Sequence, residues 1–132
     1  MTTPSLYIML CSAERDKIQM AGMAASVAAV SERKVHLFVS MGAIKAFKAG
    51  APASDRYLPS PFSKELESAG VPDPLELLKQ GKMLGDMQVH ACSMVIDVLG
   101  WEMEDLEEDL FDDVMGLTKF LSDAEHGQLI TL

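Results

Sequence analysis

Asp86-Met87-Gln88-Val89-His90-Ala91-Cys92-Ser93-Met94-Val95-Ile96-Asp97-Val98-Leu99-Gly100-Trp101 is the stretch whose reading decides the fold. Met87–Ala91 reads as a short strand around the β-branched Val89. Ser93–Leu99 reads as a helix: Met94 and Val98 fall four apart, as do Val95 and Leu99, which predicts one wide apolar face. Gly100 is placed to end that helix in a left-handed conformation. Cys92 stands at the junction between strand and helix. Unpaired backbone N–H groups and the positive end of the helix dipole favour negative charge there. A thiol so placed is expected to ionise more easily than a free cysteine, and the thiolate is the nucleophilic form. The competing reading is a buried cysteine acting as a small hydrophobe.

The flanking sequence repeats the strand-then-helix pattern. Leu6–Cys11 is an unbroken apolar run, which fits a strand buried on both faces of a parallel sheet. Ser12 is a candidate cap for a following helix that reaches about Val30, with Glu14 and Asp16 near its positive end. Ala21, Gly22, Ala24, Ala25, Ala28 and Ala29 are small enough to let that helix lie close on a sheet. Val35–Val39 is a second strand, and Met41-Gly42 opens a short helix through Ala49, closed by Gly50. The order predicts an α/β fold, a single three-layer domain over residues 1–132 with a mainly parallel sheet flanked by helices and right-handed crossovers.

Gly50 to Pro74 breaks this rhythm with five prolines and one or two helical turns at Ser63–Ala69. Connections of this length serve as lids or as plain surface excursions, and the sequence leaves both open. Asp73-Pro74 is a strong helix start, an N-cap followed by proline at the first helical position. Leu75, Leu77, Leu78 and Met83 supply the apolar face, with Gly81 or Gly85 as the stop. After Trp101, the segment Glu102–Asp113 holds eight acidic residues and no basic one. It lacks the spacing and central glycine of a calcium loop and reads as a solvated acidic face. Leu110 and Phe111 suggest a short strand. Gly116–Ala124 suggests a helix with Leu117, Phe120 and Leu121 inward, and Leu129–Leu132 the last strand.

Composition narrows the function. A net charge of −9 over 132 residues argues against binding nucleic acid or an anionic membrane surface, which need clustered Lys and Arg. The most apolar helix candidate, Ile18–Val30, is too short and alanine-rich to span a bilayer. Met1–Ser5 has neither the basic region nor the apolar run of a secretory leader. Two cysteines in such a chain point to the reducing cytoplasm and free thiols. No Cys-x-x-Cys pair and no glycine-rich phosphate loop occurs.

The chemistry-bearing residues cluster in prospect. In open α/β sheets ligands bind beyond the carboxyl ends of the strands. Cys11 and Cys92 both lie at such ends, so the two are expected on one rim, as a relay or a reversible disulfide. The favoured reading of Cys11 by itself is a buried residue finishing an apolar strand. His90, two residues before Cys92, points to the same face of a strand and is a candidate to assist proton transfer. Ser93, beside the thiol at the helix start, completes the candidates.

Ala91-Cys92-Ser93-Met94, followed by Asp97 and Gly100, resembles the cysteine motif of the DsrE/DsrF-like family, roughly Ala-Cys-x-Met-x-x-Asp-x-x-Gly. The alanine-rich first helix, the strand Val35–Val39 with Met41-Gly42, and the run Leu110–Gly116 leading into Leu117–Leu121 extend the similarity over most of the chain. Val95 stands where the family often has serine, and the family varies at the Cys11 loop. The resemblance implies a small α/β protein assembled as a homo-oligomer, a trimer or hexamer. It implies a sulfur carrier or sulfurtransferase holding sulfur as a persulfide on Cys92, the residue it implicates; Cys11, His90 and Ser93 are supporting candidates by their positions. Its partners are then donor and acceptor proteins, rhodanese-like or small sulfur carriers, and no metal or organic cofactor is needed. Two other functions stay open: a non-catalytic assembly subunit, and a small thiol–disulfide oxidoreductase using Cys11 and Cys92.

Overall fold

The strand-and-helix alternation is realised as β1 (Leu6–Leu10), α1 (Arg15–Val30), β2 (Val35–Val39), α2 (Ala53–Arg56), α3 (Ser63–Ala69), α4 (Pro74–Leu84), β3 (Met87–Cys92), α5 (Ser93–Leu99), β4 (Asp113–Met115), α6 (Leu117–Asp123) and β5 (Gln128–Thr131). The computed structural model describes residues 3–132; Met1 and Thr2, the head of the segment inspected for a leader, lie outside them. All five strands run parallel in the order β4-β3-β2-β1-β5. The fold is the expected α/β class. Among the described residues no helix is long and apolar enough to cross a membrane.

Strand alternation sorts the side chains onto two faces. The register aligns Leu6 with Val35 and Val35 with Met87, then Ile8 with Leu37 and Leu37 with Val89. These residues, with Leu10, Val39 and Ala91, form one apolar face, and all are buried. It lies under α1 and α4. Those two helices meet at very short range, through glycines: a Cβ at Gly22 would stand 3.2 Å from the Pro74 carbonyl oxygen, and one at Gly81 would stand 2.9 Å from the Ser26 Cα. Ile18, Ala21, Ala25 and Ala29 of α1 turn inward. The opposite face carries Tyr7, His36, Phe38, His90 and Cys92. It is covered through Phe120 of α6, which stacks on Phe38 at 4.8 Å and meets Tyr7 edge-on at 5.6 Å.

The long segment from Gly50 to Pro74 is stitched down. Leu58 pairs with the entry to α1: its N–H donates to Ala13 O and its carbonyl accepts from Arg15 N–H, both at 2.9 Å. Gln19 donates to Pro72 O at 3.0 Å, and Ser60 Oγ accepts from Asp16 N–H at 2.9 Å. Asp73 caps α4 as expected, its side chain accepting from Leu75 N–H at 2.9 Å.

Several local expectations are corrected. Ser12 is not the cap of α1; its hydroxyl accepts from Glu14 N–H at 3.1 Å, and Glu14 itself occupies the N-cap. The pairing of Ala13 and Arg15 with Leu58 delays the helix. The helix expected from Met41 to Ala49 is a 3₁₀ helix, Met41–Phe47. It stops where Phe47 O and Ala49 N–H bond the backbone of Glu107 and Asp105. The short α2 was not foreseen. Leu110 and Phe111 are not a strand: Leu110 is a buried plug, and the ladder beside β3 begins at Asp113, opposite His90. Met83, Leu117 and Leu121 do not face inward, nor do Met94 and Val98 of α5; all are exposed. Apolar spacing shows which residues share a side of a helix, but a short helix on a sheet buries a strip narrower than that side.

The α1–α4 contact yields a stability prediction. Gly85 is extended and follows α4, so alanine there gains no helix propensity, yet its Cβ would fall on the Ala29 carbonyl. Gly85→Ala should therefore lower the stability by about 2 kcal/mol, the usual size of an overpacking cost, as read from urea unfolding midpoints at unchanged slope.

Candidate functional site

Cys92 ends β3 and is the N-cap residue of α5, as the sequence indicates. Two strand-to-helix junctions lie side by side there. Cys92 pairs in register with Met115, and one residue further on Ser93 opens α5 while Gly116 caps α6. Ser93 Oγ lies over Gly116, where a Cβ would stand 3.7 Å from it. Neither helix start receives a side-chain cap, so both leave backbone N–H groups open toward this rim. Cys92 is a free thiol and only 5% exposed.

Cys11 follows β1 on the same rim, half-buried and also free. Its N–H donates to Leu132 O at 2.8 Å, which continues the β1–β5 pairing past the end of both strands. Burial pushes the Cys11 thiol up, the nearby charge of Cys92 adds to this, and Lys17 offsets part of it. The two cysteines therefore share one rim but do not touch through a ladder. β2 lies between β1 and β3. Two strand spacings amount to about 9.6 Å, beyond the roughly 7 Å that Cα atoms of a disulfide can span.

His90 faces the same side as Cys92, but both of its ring nitrogens are engaged elsewhere. Nδ1 lies 2.6 Å from Asp113 Oδ1 and Nε2 lies 3.1 Å from His36 Nδ1. The His36 ring in turn stacks on Tyr7, 4.8 Å between centroids and 8° from coplanar. A chain of hydrogen bonds thus runs from half-exposed Asp113 through the fully buried His90 to His36. His36 and Asp113 are the partners that the sequence did not reveal. The signal for them was the β2–β3–β4 register, which no single strand carries.

The acidic segment is not the plain solvated face expected of it. Arg56, buried, donates from Nη1 to Ala46 O and Lys48 O at 2.9 Å each and from Nη2 to Glu107 Oε2 at 2.8 Å. Lys79 holds the other Glu107 oxygen at 3.1 Å. Burial pushes the Glu107 carboxyl up, but the Lys79 hydrogen bond and the Arg56 charge outweigh it and leave it below the usual carboxylate range. Asp112 accepts from Val89 N–H at 2.8 Å and pairs with Lys82. At the rim, Met41 adopts a left-handed conformation, φ 50°, directly after β2. Nothing about methionine signals such a turn in advance.

The histidine pair makes a pH prediction. Burial lowers the His36 pKa first, with the charges of His90 and Lys34 acting the same way against weaker pulls from Asp123 and Asp86. A histidine depressed in the folded state stabilises the fold above its unfolded value and loses that contribution as the pH falls. Stability should therefore drop as the pH falls below about 6.5. In His36→Gln the drop between pH 7.5 and 5.5 should be smaller than in wild type, measured by thermal melts across that range. An equal drop in both proteins would show that His36 is not responsible.

No protein-family model matches the chain, and no curated protein does. Among solved structures, the chain is similar to the protein of unknown function MTH1491 from Methanobacterium thermoautotrophicum, with a TM-score of 0.63 and 11% sequence identity over 98% of this chain and 99% of that one. At that identity the likeness establishes the shared α/β fold and its extent over both chains.

Proposed function

We propose that the protein is a cytoplasmic sulfur carrier that holds sulfane sulfur as a persulfide on Cys92. One observation carries this reading: Cys92 is a free thiol at a strand-to-helix junction on the carboxyl rim of an all-parallel sheet, within the Ala91–Gly100 pattern that resembles the DsrE/DsrF-like motif. That rim is where open α/β sheets place their ligands. The open N–H groups of the two adjoining helix starts favour the negative charge of a thiolate or persulfide.

The transfer is written in two balanced steps. The Cys92 thiolate attacks the outer sulfur of a donor persulfide. One S–S bond forms as another breaks, and the donor leaves as a thiolate. A thiolate on an acceptor protein then attacks the outer sulfur of the Cys92 persulfide, and Cys92 returns as a thiolate. No net oxidation occurs and no cofactor enters. Donor and acceptor are proteins of the rhodanese-like or small sulfur-carrier kind, and the carrier works as a homo-oligomer. The rival thiol–disulfide reading is disfavoured by the strand that separates Cys11 from Cys92. The burial of Cys92 favours a second reading, a non-catalytic assembly subunit whose cysteine is a small core hydrophobe.

Intact-mass measurement after incubation with polysulfide separates these readings. Wild type and Cys11→Ser should gain about one sulfur mass, removable by reductant, and Cys92→Ser should lose at least nine-tenths of that gain. Equal loading of wild type and Cys92→Ser refutes the carrier. A Cys92 that takes up no sulfur and resists alkylation in the folded protein establishes the assembly reading.

A further inference from the structure

The outer side of α1 has no partner within the chain. Met20, Met23, Val27 and Val30 follow one another at steps of three, four and three, which is one side of a helix. They are 50%, 44%, 63% and 51% exposed. The inner side, Ile18, Ala21, Ala25 and Ala29, is equally apolar, and from Ile18 to Ser31 the helix carries no charged residue. A helix apolar all round is normally covered all round. The four outer side chains leave on the order of 400 Å² of apolar surface in water, the size of the largest patch on an ordinary monomer.

This surface is a ridge with a groove on each side. One groove, about 480 Å³, runs between α1 and the chain at Leu6 and Arg33, with Ala24 and Ala28 in its floor. The other, about 320 Å³, runs between α1 and the side chains of Phe62 and Leu66. A ridge beside a groove can seat in the groove of a second copy under a two-fold rotation, which repeats the contact. With Phe62 and the groove walls, the strip supplies a large part of the roughly 800 Å² that each partner buries in an ordinary stable dimer.

Charge selects the occupant and its direction. A chain of net charge −9 repels its own copies, and this strip is free of that charge. The charges stand only at its two ends: Glu14, Arg15, Asp16 and Lys17 at the start of α1, and Glu32, Arg33 and Lys34 just beyond its end. Arg15 is tied to Gln19, Asp16 to Ser60 and the Phe62 N–H, and Arg33 to Pro4 O and Gln128, whereas Lys17 and Glu32 are exposed. Antiparallel pairing of α1 with α1 brings the exposed Lys17 toward the exposed Glu32 of the second copy, twice. Parallel pairing would set like charges together. We infer that the exposed ridge of α1 is a two-fold interface between copies of this chain, packed antiparallel with the ridge of each copy in the groove of the other.

The interface involves none of the residues proposed to carry sulfur, so it stands or falls separately from that function. Sedimentation analysis of the purified chain at about 50 μM should give an even number of 14.4 kDa copies. Met23→Glu with Val27→Glu should at least halve that mass while leaving the circular dichroism spectrum unchanged. Lys17→Glu should weaken association at low salt at least tenfold, and Glu32→Lys in the same chain should restore it. A monomeric wild type, an odd-numbered assembly, or an assembly indifferent to the ridge substitutions overturns the inference. Failure of Glu32→Lys to rescue Lys17→Glu overturns the antiparallel arrangement, and that arm uses only exposed charges, so it holds even if the ridge variants fold poorly.

Discussion

Everything at the candidate site depends on the parallel register of β3 against β2. Val35 aligns with Met87 and Val39 with Ala91, so both strands end at the same height and Cys92 emerges at the rim where β2 gives way to Ser40 and Met41. Parallel strands can be aligned this way only if each connection returns the full length of the sheet, which is why the chain needs a helix or a long loop between every pair. The register is fixed by burial on both faces. A slip of one residue would drive His90 and Cys92 into the apolar face under α1 and α4 and turn Val89 and Ala91 toward α6.

The thin edge of the sheet is held by charge rather than by apolar area. β4 has three residues, and on its own such a strand has little to keep it in place. The segment leading to it is fastened at successive points. Glu107 is tied to Arg56 and Lys79, Asp112 to Val89 N–H and Lys82, and Asp113 to His90. Leu106, just before the first tie, and Leu110, between the first and the second, are buried. The Arg56 guanidinium is desolvated, but two backbone carbonyls and a carboxylate receive its N–H groups, which is the condition under which a buried charge is tolerated. The acidic run therefore works as a row of anchors for an edge strand that apolar packing alone would not define.

The elements legible in the sequence are those with a local cause. The apolar runs Leu6–Leu10 and Val35–Val39, the Asp73-Pro74 start of α4, and Gly100 in the left-handed region, φ 68°, each follow from residues within a few positions. What was not legible has distant causes. Ser12 fails to cap α1 because Leu58 reaches the helix entry from more than forty residues away. Leu110 looks like a strand residue because it is apolar, but the site of β4 is set by where Asp113 meets His90. The solvated face expected of Glu102–Asp113 could not be corrected without knowing that Arg56 and Lys79 converge on Glu107. At the site, alternation correctly puts His90 and Cys92 on one face, but it says nothing of His36 on the neighbouring strand, which takes the nitrogen that Cys92 was expected to use.

The two faces of the sheet consequently hold different kinds of matter. Under α1 and α4 the contact is close, made through Gly22, Gly81 and Gly85 and the alanines of α1, and it has no room for an extra methyl. Under α6, a helix of seven residues, lie Tyr7, His36, His90 and Cys92. Polar and titratable side chains tolerate burial only with partners, and strand alternation lets them gather on one face without disturbing the other. The same division explains α1. Its small residues are spent on the sheet and on α4, so its larger ones, Met20, Met23 and Val27, are left to point away, and the helix that covers one face of the sheet also presents an apolar ridge on the molecule's exterior.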